Sequence, residues 1–339
     1  MAPRAVIEKL LRREDLSRAE AAEFMTSVME GALTDVQIAG VLVALRAKGP
    51  TVDEIAGFAE VMRARSVRVF PKRNHLIDTC GTGGDGAGTF NISTAAALVA
   101  AGAGVGVAKH GNRAMSSKCG SSDVLEALGV AMVAPERVAE VIDRAGIGFM
   151  FAPAHHPATR YAVTARRELG VRTIFNLLGP LTNPAHVRRQ VMGIYDPSLT
   201  ETAAAVLAVL GSERAYVVHG MDGTDEVSVC SDTKVTELRD GRIESFVFKP
   251  ESVGIKRSTP EGIAGGTPAE NAKAIAAILS GERGPRRDAV VLNAAFAITV
   301  AGAANTVADG VGMAELSIDS GAAAAALEAL RVTSASLSD

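Results

Sequence analysis

Residues 78 to 94 read DTCGTGGDGAGTFNIST, with glycines at 81, 83, 84, 86 and 88 crowded between two apolar stretches. His75 to Cys80 has the composition of a short strand, and Ser93 to Ala103 that of a helix with Asn91 or Ser93 as its cap. A strand that passes through glycines into a helix puts free backbone N–H groups beside the positive end of the helix dipole. The missing Cβ atoms let a ligand approach closely, and the arrangement is a cradle for an anion.

Two familiar loops of this kind fail on the details. Gly81-x-Gly83-x-x-Gly86 satisfies the dinucleotide fingerprint in form. That fingerprint also needs an acidic residue about 20 positions on, and no Asp or Glu occurs from Ala87 to Ser122. A P-loop needs Lys and then Ser or Thr after its last glycine, whereas Gly86 is followed by Ala87 and Gly88. The acid-free window itself holds Lys109, His110, Arg113 and Lys118, in a chain of formal net charge -3. An anionic ligand would supply the missing negative charge. Within the window, an apolar strand from Val105 to Ala108 runs into KHGNRAMSSKCGSS and a helix beginning near Ser122, which is a second loop of phosphate-binding type.

The texture of the chain predicts an α/β protein: a small all-helical subdomain plus a large domain with a central, mostly parallel sheet flanked by helices. Helix-period patterns occupy Ala5 to Leu11, Arg18 to Met29, Asp35 to Ala47 and Val52 to Ala64, broken by Gly31, Gly49 and Pro50. From His75 onward, strands and helices alternate, with strands at Ile147 to Ala152, Val191 to Tyr195 and Ala215 to His219. Lys234 to Leu238 and Arg242 to Phe248 flank Asp240-Gly241 and predict an antiparallel hairpin. Thr267-Pro268-Ala269-Glu270 is a capping box with proline at the first helical position, and Gly281 closes that helix. The expected division is a helical subdomain over 1–70, with helices of about 157–187 packed on it, and an α/β domain over 75–155 and 190–339.

Single residues carry less. A helix over Pro157 to Leu169 puts Ala158, Ala162, Ala165 and Leu169 on one seam, Arg160 and Arg167 toward solvent, and Arg166 beside the seam. A partly buried Arg seeks a planar carboxylate, either an internal Asp or Glu or a ligand. Asp225-Glu226, in a Gly-rich turn after a strand, reads as a solvated turn or as a pair of hard metal ligands. Cys80, Cys119 and Cys230 lack metal-ligand spacing and read as reduced thiols serving as small apolar filler. His156 and His219 read as structural histidines, and Met115, Met132 and Met150 as core filler. The first 15 residues form a charged amphipathic helix, and no apolar run is long enough to span a bilayer, so a cytoplasmic protein is expected. A pI near 6.1 argues against a nucleic-acid partner.

The two loops, together with RTIFNLLGPLTNP at 172–184 and HGMDGTDEVS at 219–228, resemble the anthranilate phosphoribosyltransferase family, over a span from about the first helix to the C-terminus. The resemblance implies transfer of a 5-phosphoribosyl group from phosphoribosyl pyrophosphate to the amine of anthranilate, with release of pyrophosphate, in tryptophan biosynthesis. Mg2+ is the implied cofactor, held by Ser93, Asp225 and Glu226. The implied donor site comprises Gly81, Gly84, Asp85, Thr89, Asn91, Ile92, Ser93 and Thr94 from the first loop. From the second it takes Lys109, His110, Gly111, Asn112, Arg113, Ser116, Ser117 and Ser121. Gly81, His110, Asn112 and Arg166 are the implied contacts to anthranilate, and no discrete general base is assigned. The chain departs from the family pattern at Thr159 and at Thr164-Ala165, where Met and Pro-Val are expected, which leaves the shape of the outer aromatic pocket open. A homodimer through the helical subdomain is implied as well, with no nucleic acid or membrane partner. The alternatives are a pyrimidine nucleoside phosphorylase of similar architecture and a non-catalytic nucleic-acid-binding relative.

Overall fold

A computed structural model describes residues 2–114 and 118–338. Ser116, Ser117 and Met115 of the expectations above lie outside the described residues. Four helices come first: α1 (Pro3–Leu11), α2 (Arg18–Met29), α3 (Asp35–Lys48) and α4 (Val52–Ala64). Ser17, Thr34 and Thr51 close capping boxes with Glu20, Gln37 and Glu54, so α2, α3 and α4 each start at a reciprocal pair of hydrogen bonds.

Strands and helices then alternate: β1 (Ile77–Gly81), α5 (Ile92–Gly102), β2 (Val107–Gly111), α6 (Ser121–Ala127), α7 (Pro135–Ala145) and β3 (Ile147–Phe151). A helical connection follows, formed by α8 (Ala152–His155), a 3-10 turn (Pro157–Ala162), α9 (Val163–Leu169) and α10 (Phe175–Leu181). The single helix expected over 157–169 is therefore broken near Ala162. Arg160 and Arg167 do not share one helical face, although both are exposed. The chain continues through β4 (Arg189–Gly193), α11 (Thr200–Val209), β5 (Arg214–Gly220), β6 (Thr233–Arg239) and β7 (Arg242–Phe248). It ends in α12 (Pro268–Leu279), α13 (Pro285–Ala301), α14 (Val307–Asp319) and α15 (Ala322–Ala335).

The seven strands form one sheet in the order β3-β2-β1-β4-β5-β6-β7. The five from β3 to β5 are parallel, and the hairpin β6-β7 adds an antiparallel edge. Asp240 and Gly241 both adopt positive φ, 51° and 79°, as a two-residue hairpin turn of mirror-image type requires. The chain moves outward from β1 to β2 and β3, then returns to the other side of β1 for β4. The sheet thus has its switch point between the carboxyl ends of β1 and β4, where such sheets bind ligands.

The core of the helical bundle includes Phe24, Leu42 and Phe58. It is continuous with Ala165, Phe175 and Leu178 of the connection and with Met192 and Val217 on one sheet face. The other face is covered by α5, whose residues from Ala95 to Ala100 are all buried, and by the almost wholly buried α13. Burial of this kind contributes about 25 cal/mol per Å² of apolar surface.

Candidate active site

Gly81 and Gly193 are the last residues of β1 and β4 and pair with each other in the sheet. Both must lack a Cβ, because the loop after β5 lies directly on them. A Cβ at Gly193 would overlap the Asp225 carbonyl, and one at Gly81 would overlap the Asp225 carboxylate. Asp225 and Glu226 are thus half-buried against the strand ends at the switch point, and a freely solvated turn is not what the structure shows.

The glycine loop follows β1 with positive φ at Gly83, Gly84, Gly86 and Gly88. Its outer limb is braced from far along the chain: Gly265 N–H donates to the Gly88 carbonyl at 2.8 Å, and Phe90 N–H to that of Ile263 at 3.2 Å. The amides expected to meet an anion already meet carboxylates. Gly83 N–H donates to Asp225 Oδ2 at 2.7 Å, and Ser93 N–H, in the first turn of α5, to Glu226 Oε1 at 3.2 Å. Asp85 accepts the amide hydrogens of Ala87 and Asp225, each at 3.3 Å. Burial raises the pKa of Asp225 and Glu226 above the usual carboxylate range. The charge of Asp85 adds to the shift for Asp225, and the charge of Asp225 to that for Glu226.

Lys109 lies 3 % exposed beneath this acid cluster, on β2. Its ammonium donates to the Thr79 carbonyl and reaches Ser93 Oγ at 3.4 Å. His110 is buried with its Nδ1 3.1 Å from the Gly179 carbonyl of α10, and its ring centre is 5.3 Å from that of His156. Burial holds the His110 imidazole well below its ordinary pKa. At the end of β2, Ser121 Oγ donates to the Asn112 carbonyl at 3.2 Å, and Gly111 leaves the space that Ser121 Oγ and Phe149 fill.

Several expected residues sit differently from their simplest reading. Arg113 is paired with Asp123 at 2.9 Å and Glu126 at 2.8 Å, acids just beyond the acid-free window, so its charge is compensated within the chain. Asn91 occupies the N-cap position of α5 without capping it. Its side chain instead donates to the Cys119 carbonyl at 3.2 Å and accepts from Asn271 at 2.9 Å. The Ile92 side chain is buried in the core, and its N–H donates to the Phe90 carbonyl at 2.7 Å. Thr94 is also buried, and Thr89 bridges to Ala264. Gly84, at φ 72°, gives its carbonyl to Arg172.

Arg166, on α9, is half-buried and stacks on Phe175, with its guanidinium carbon 5.0 Å from the ring centre. Among the described residues it has no acidic partner, and burial lowers its pKa. Of the two readings of this Arg, an internal ion pair is absent there. The other histidine readings hold in part: His219 is buried with Nδ1 2.7 Å from the Ile194 carbonyl, and His156 is buried against His110. Met150 is fully buried and Met132 packs on the core. None of the three cysteines is in a disulfide, and burial pushes the Cys80 thiol up, away from the nucleophilic thiolate.

Some contributors were missed. Asn293, on α13, accepts from Val227 N–H at 3.0 Å and donates to the Val227 carbonyl at 2.9 Å, clamping the residue next to Glu226. Arg172 lies over Tyr195, 4.4 Å from its ring centre. Asp78 is buried in β1. The available signals were a lone Asn in the apolar stretch VVLNAAFAITV and an Asp inside a strand.

Hard oxygen donors on a half-buried acid pair fit Mg2+. Among the described residues no group of three or more His, Cys, Asp or Glu is assembled as a metal cage. That also suits Mg2+, which takes one or two carboxylates and completes its shell with water and substrate phosphate oxygens.

Fold and site together define a glycosyl transferase: residues 4–66 match the helical bundle domain of that family and residues 73–324 its a/b domain. Anthranilate phosphoribosyltransferase from Moorella thermoacetica is 56% identical over 328 residues, covering 96% of this chain and 97% of the relative. The enzyme of that name from Desulfosudis oleivorans is 53% identical over 96% of both chains. The crystal structure of the Thermus thermophilus enzyme superposes with a TM-score of 0.92 at 44% identity, covering 97% of this chain and 99% of that one. The Saccharomyces cerevisiae enzyme in complex with PRPP and Mg gives 0.90 at 29% identity, covering 99% and 98%. The chain belongs to the anthranilate phosphoribosyltransferase family.

Proposed function

We infer that the protein transfers the 5-phosphoribosyl group of phosphoribosyl pyrophosphate to the amine of anthranilate, releasing pyrophosphate, as a step of tryptophan biosynthesis. The observation that carries this reading is the meeting, at one switch point, of the amides of Gly83 and Ser93, the half-buried acids Asp225 and Glu226, and Lys109. Arg166, half-buried and without an acidic partner among the described residues, is the matching group for a carboxylate acceptor.

The residues divide the work. The glycine-loop amides, with Asp85, Asn91 and Thr94, orient the donor phosphates and ribose, and Lys109 faces the pyrophosphate, where negative charge grows as its bond to C1 breaks. Asp225, Glu226 and Ser93 would hold Mg2+, which when bound supplies positive charge for the departing pyrophosphate. Arg166, His110, Asn112 and Gly81 hold anthranilate with its amine toward the opposite face of C1. A neutral His110 suits this role, since an arylamine lone pair is free at neutral pH and needs no strong base. Holding the two reactants together accounts for up to ~7–11 kcal/mol of barrier lowering.

Residues 1–70 with about 157–187 are proposed to form one lobe and 75–155 with 190–339 the other, so that donor and acceptor meet between them. Leu11, Val36 and Val43, exposed on α1 and α3, support a homodimer through the helical lobe. No helix among the described residues is long and apolar enough to cross a membrane, and cysteines outside any disulfide are consistent with a cytoplasmic protein.

The direct test mixes protein, anthranilate, phosphoribosyl pyrophosphate and Mg2+ and follows anthranilate fluorescence, without interference because the chain has no Trp. Loss of signal that requires both donor and Mg2+ is the expected result. No loss with folded protein would overturn the assignment, and phosphorolysis of a nucleoside without the donor would replace it.

A further inference from the structure

Asp78 is a fully buried carboxylate that no step above uses. Its Oδ1 accepts the His110 N–H at 3.1 Å, and its Oδ2 accepts from Asn183 Nδ2 at 2.7 Å. The same Asn183 amide donates to the Ala108 carbonyl at 2.9 Å, so the chain just after α10 is fastened across β1 onto β2. At its other end α10 presents Phe175, on which Arg166 stacks, and between the two ends the Gly179 carbonyl meets His110 Nδ1. His110 and Arg166 come from distant parts of the chain, yet each leans on this one short helix.

We propose that Asp78 is a positioning residue that sets the placement of His110 relative to Arg166, and so the shape of the anthranilate pocket. The inference rests on the assignment of those two residues to anthranilate. Asp78 hydrogen-bonds neutral N–H donors, and the buried Lys109 ammonium, to which it makes no hydrogen bond, offsets only part of the cost of burying its charge. An apolar side chain would fill an interior strand position without that cost. What the carboxylate adds is direction, because two charge-assisted bonds fix one backbone amide and one side-chain amide at once. Gln190, buried on β4, ties the Pro180 carbonyl of α10 at 3.1 Å, so in the absence of Asp78 the helix stays on the sheet but loses its register.

The test compares Asp78→Asn and Asp78→Ala with the wild type. Michaelis constants are measured for both substrates together with the half-saturating Mg2+ concentration, and equilibrium binding of anthranilate is followed by its own fluorescence. The expected result is an anthranilate Michaelis constant and dissociation constant about 10-fold higher, as for loss of one charge-assisted hydrogen bond, with donor and Mg2+ values within about twofold. Asn retains one acceptor and so should lose less than Ala. Parallel changes in all parameters, or a lowered melting temperature alone, would overturn the proposal. If Asp78→Ala does not fold, Asn183→Ala takes its place and should show the same loss confined to anthranilate. Arg166→Ala is measured alongside. A raised anthranilate constant in Arg166→Ala but not in the Asp78 variants overturns the positioning role alone, whereas no effect of Arg166→Ala overturns the pocket assignment and the proposal with it.

Discussion

Asp225 Oδ2 accepts the backbone N–H of Gly83 at 2.7 Å, across 142 residues of sequence, so a carboxylate occupies a glycine-loop donor that suits a phosphate. Glu226 does the same at Ser93 N–H, 3.2 Å away. For donor phosphates to take these amides, the two acids must turn to a cation. Asp225→Asn combined with Glu226→Gln should therefore move the Mg2+ dependence of turnover to higher concentration. A titration curve unchanged from the wild type would remove both residues from the metal site.

Arg166→Ala should raise the anthranilate Michaelis constant by ~1.5–3 kcal/mol, the range for a hydrogen bond to a charged group, or roughly 10- to 150-fold. The constant for phosphoribosyl pyrophosphate should stay near its wild-type value. Steady-state kinetics with each substrate varied in turn reads both.

Gly193→Ala should act on the acid turn, although the residue carries no functional group. The added Cβ would overlap the Asp225 carbonyl, and the backbone of that turn, pinned by Asn293, has little freedom to yield. Turnover should fall by at least about 100-fold, in line with the effect of a misplacement of about 1 Å at a reacting centre. Saturating Mg2+ should not restore it, and circular dichroism should remain that of the wild type.

His156 is buried, and burial together with the neighbouring His155 lowers its pKa to about 4. His186 is lowered to about 4 as well, by burial and by Arg68 and Arg63. Between about pH 6.5 and 4 the unfolded chain binds the protons that these folded histidines refuse. Their contribution to stability is thus complete above about pH 6.5, declines as the pH falls through that window, and levels off below about 4. For His156 alone the change is roughly 3 kcal/mol. Chemical denaturation of His156→Asn should show a flatter dependence on pH than the wild type, and parallel curves would argue against it.

Glu54 is fully buried and accepts from Leu16 N–H at 2.9 Å, Thr51 N–H at 2.7 Å and the Lys48 ammonium at 3.0 Å. Removing the carboxylate leaves two backbone donors unpaired and Lys48 with Asp15, at 2.6 Å, as its remaining acid. Glu54→Ala should cost ~3–5 kcal/mol in urea unfolding. Because Glu54 lies in the helical bundle, the Michaelis constants of the folded fraction should not move.

Local elements were legible in the chain. The capping box at Thr267, the Asp240-Gly241 turn and the glycine loop each act through neighbours a few residues apart, and each forms where the chain predicts it. The helix over 157–169 is the exception: its apolar seam is correct at Ala162 and Ala165, but the backbone tightens into a 3-10 turn before α9 begins. Which residues share the site was set by the packing of distant segments. Whether Asp225-Glu226 is a wet turn or an acid pair held against the sheet depends on Gly81 and Gly193, 144 and 32 residues away from Asp225, lying beneath it. Whether Arg113 is free depends on where α6 places Asp123 and Glu126, and whether Arg166 lacks an acid depends on everything packed around α9. Hydrogen bonds and charge compensation act over a few Å in space with no regard to separation along the chain, so they become readable only after the sheet has brought its strand ends together.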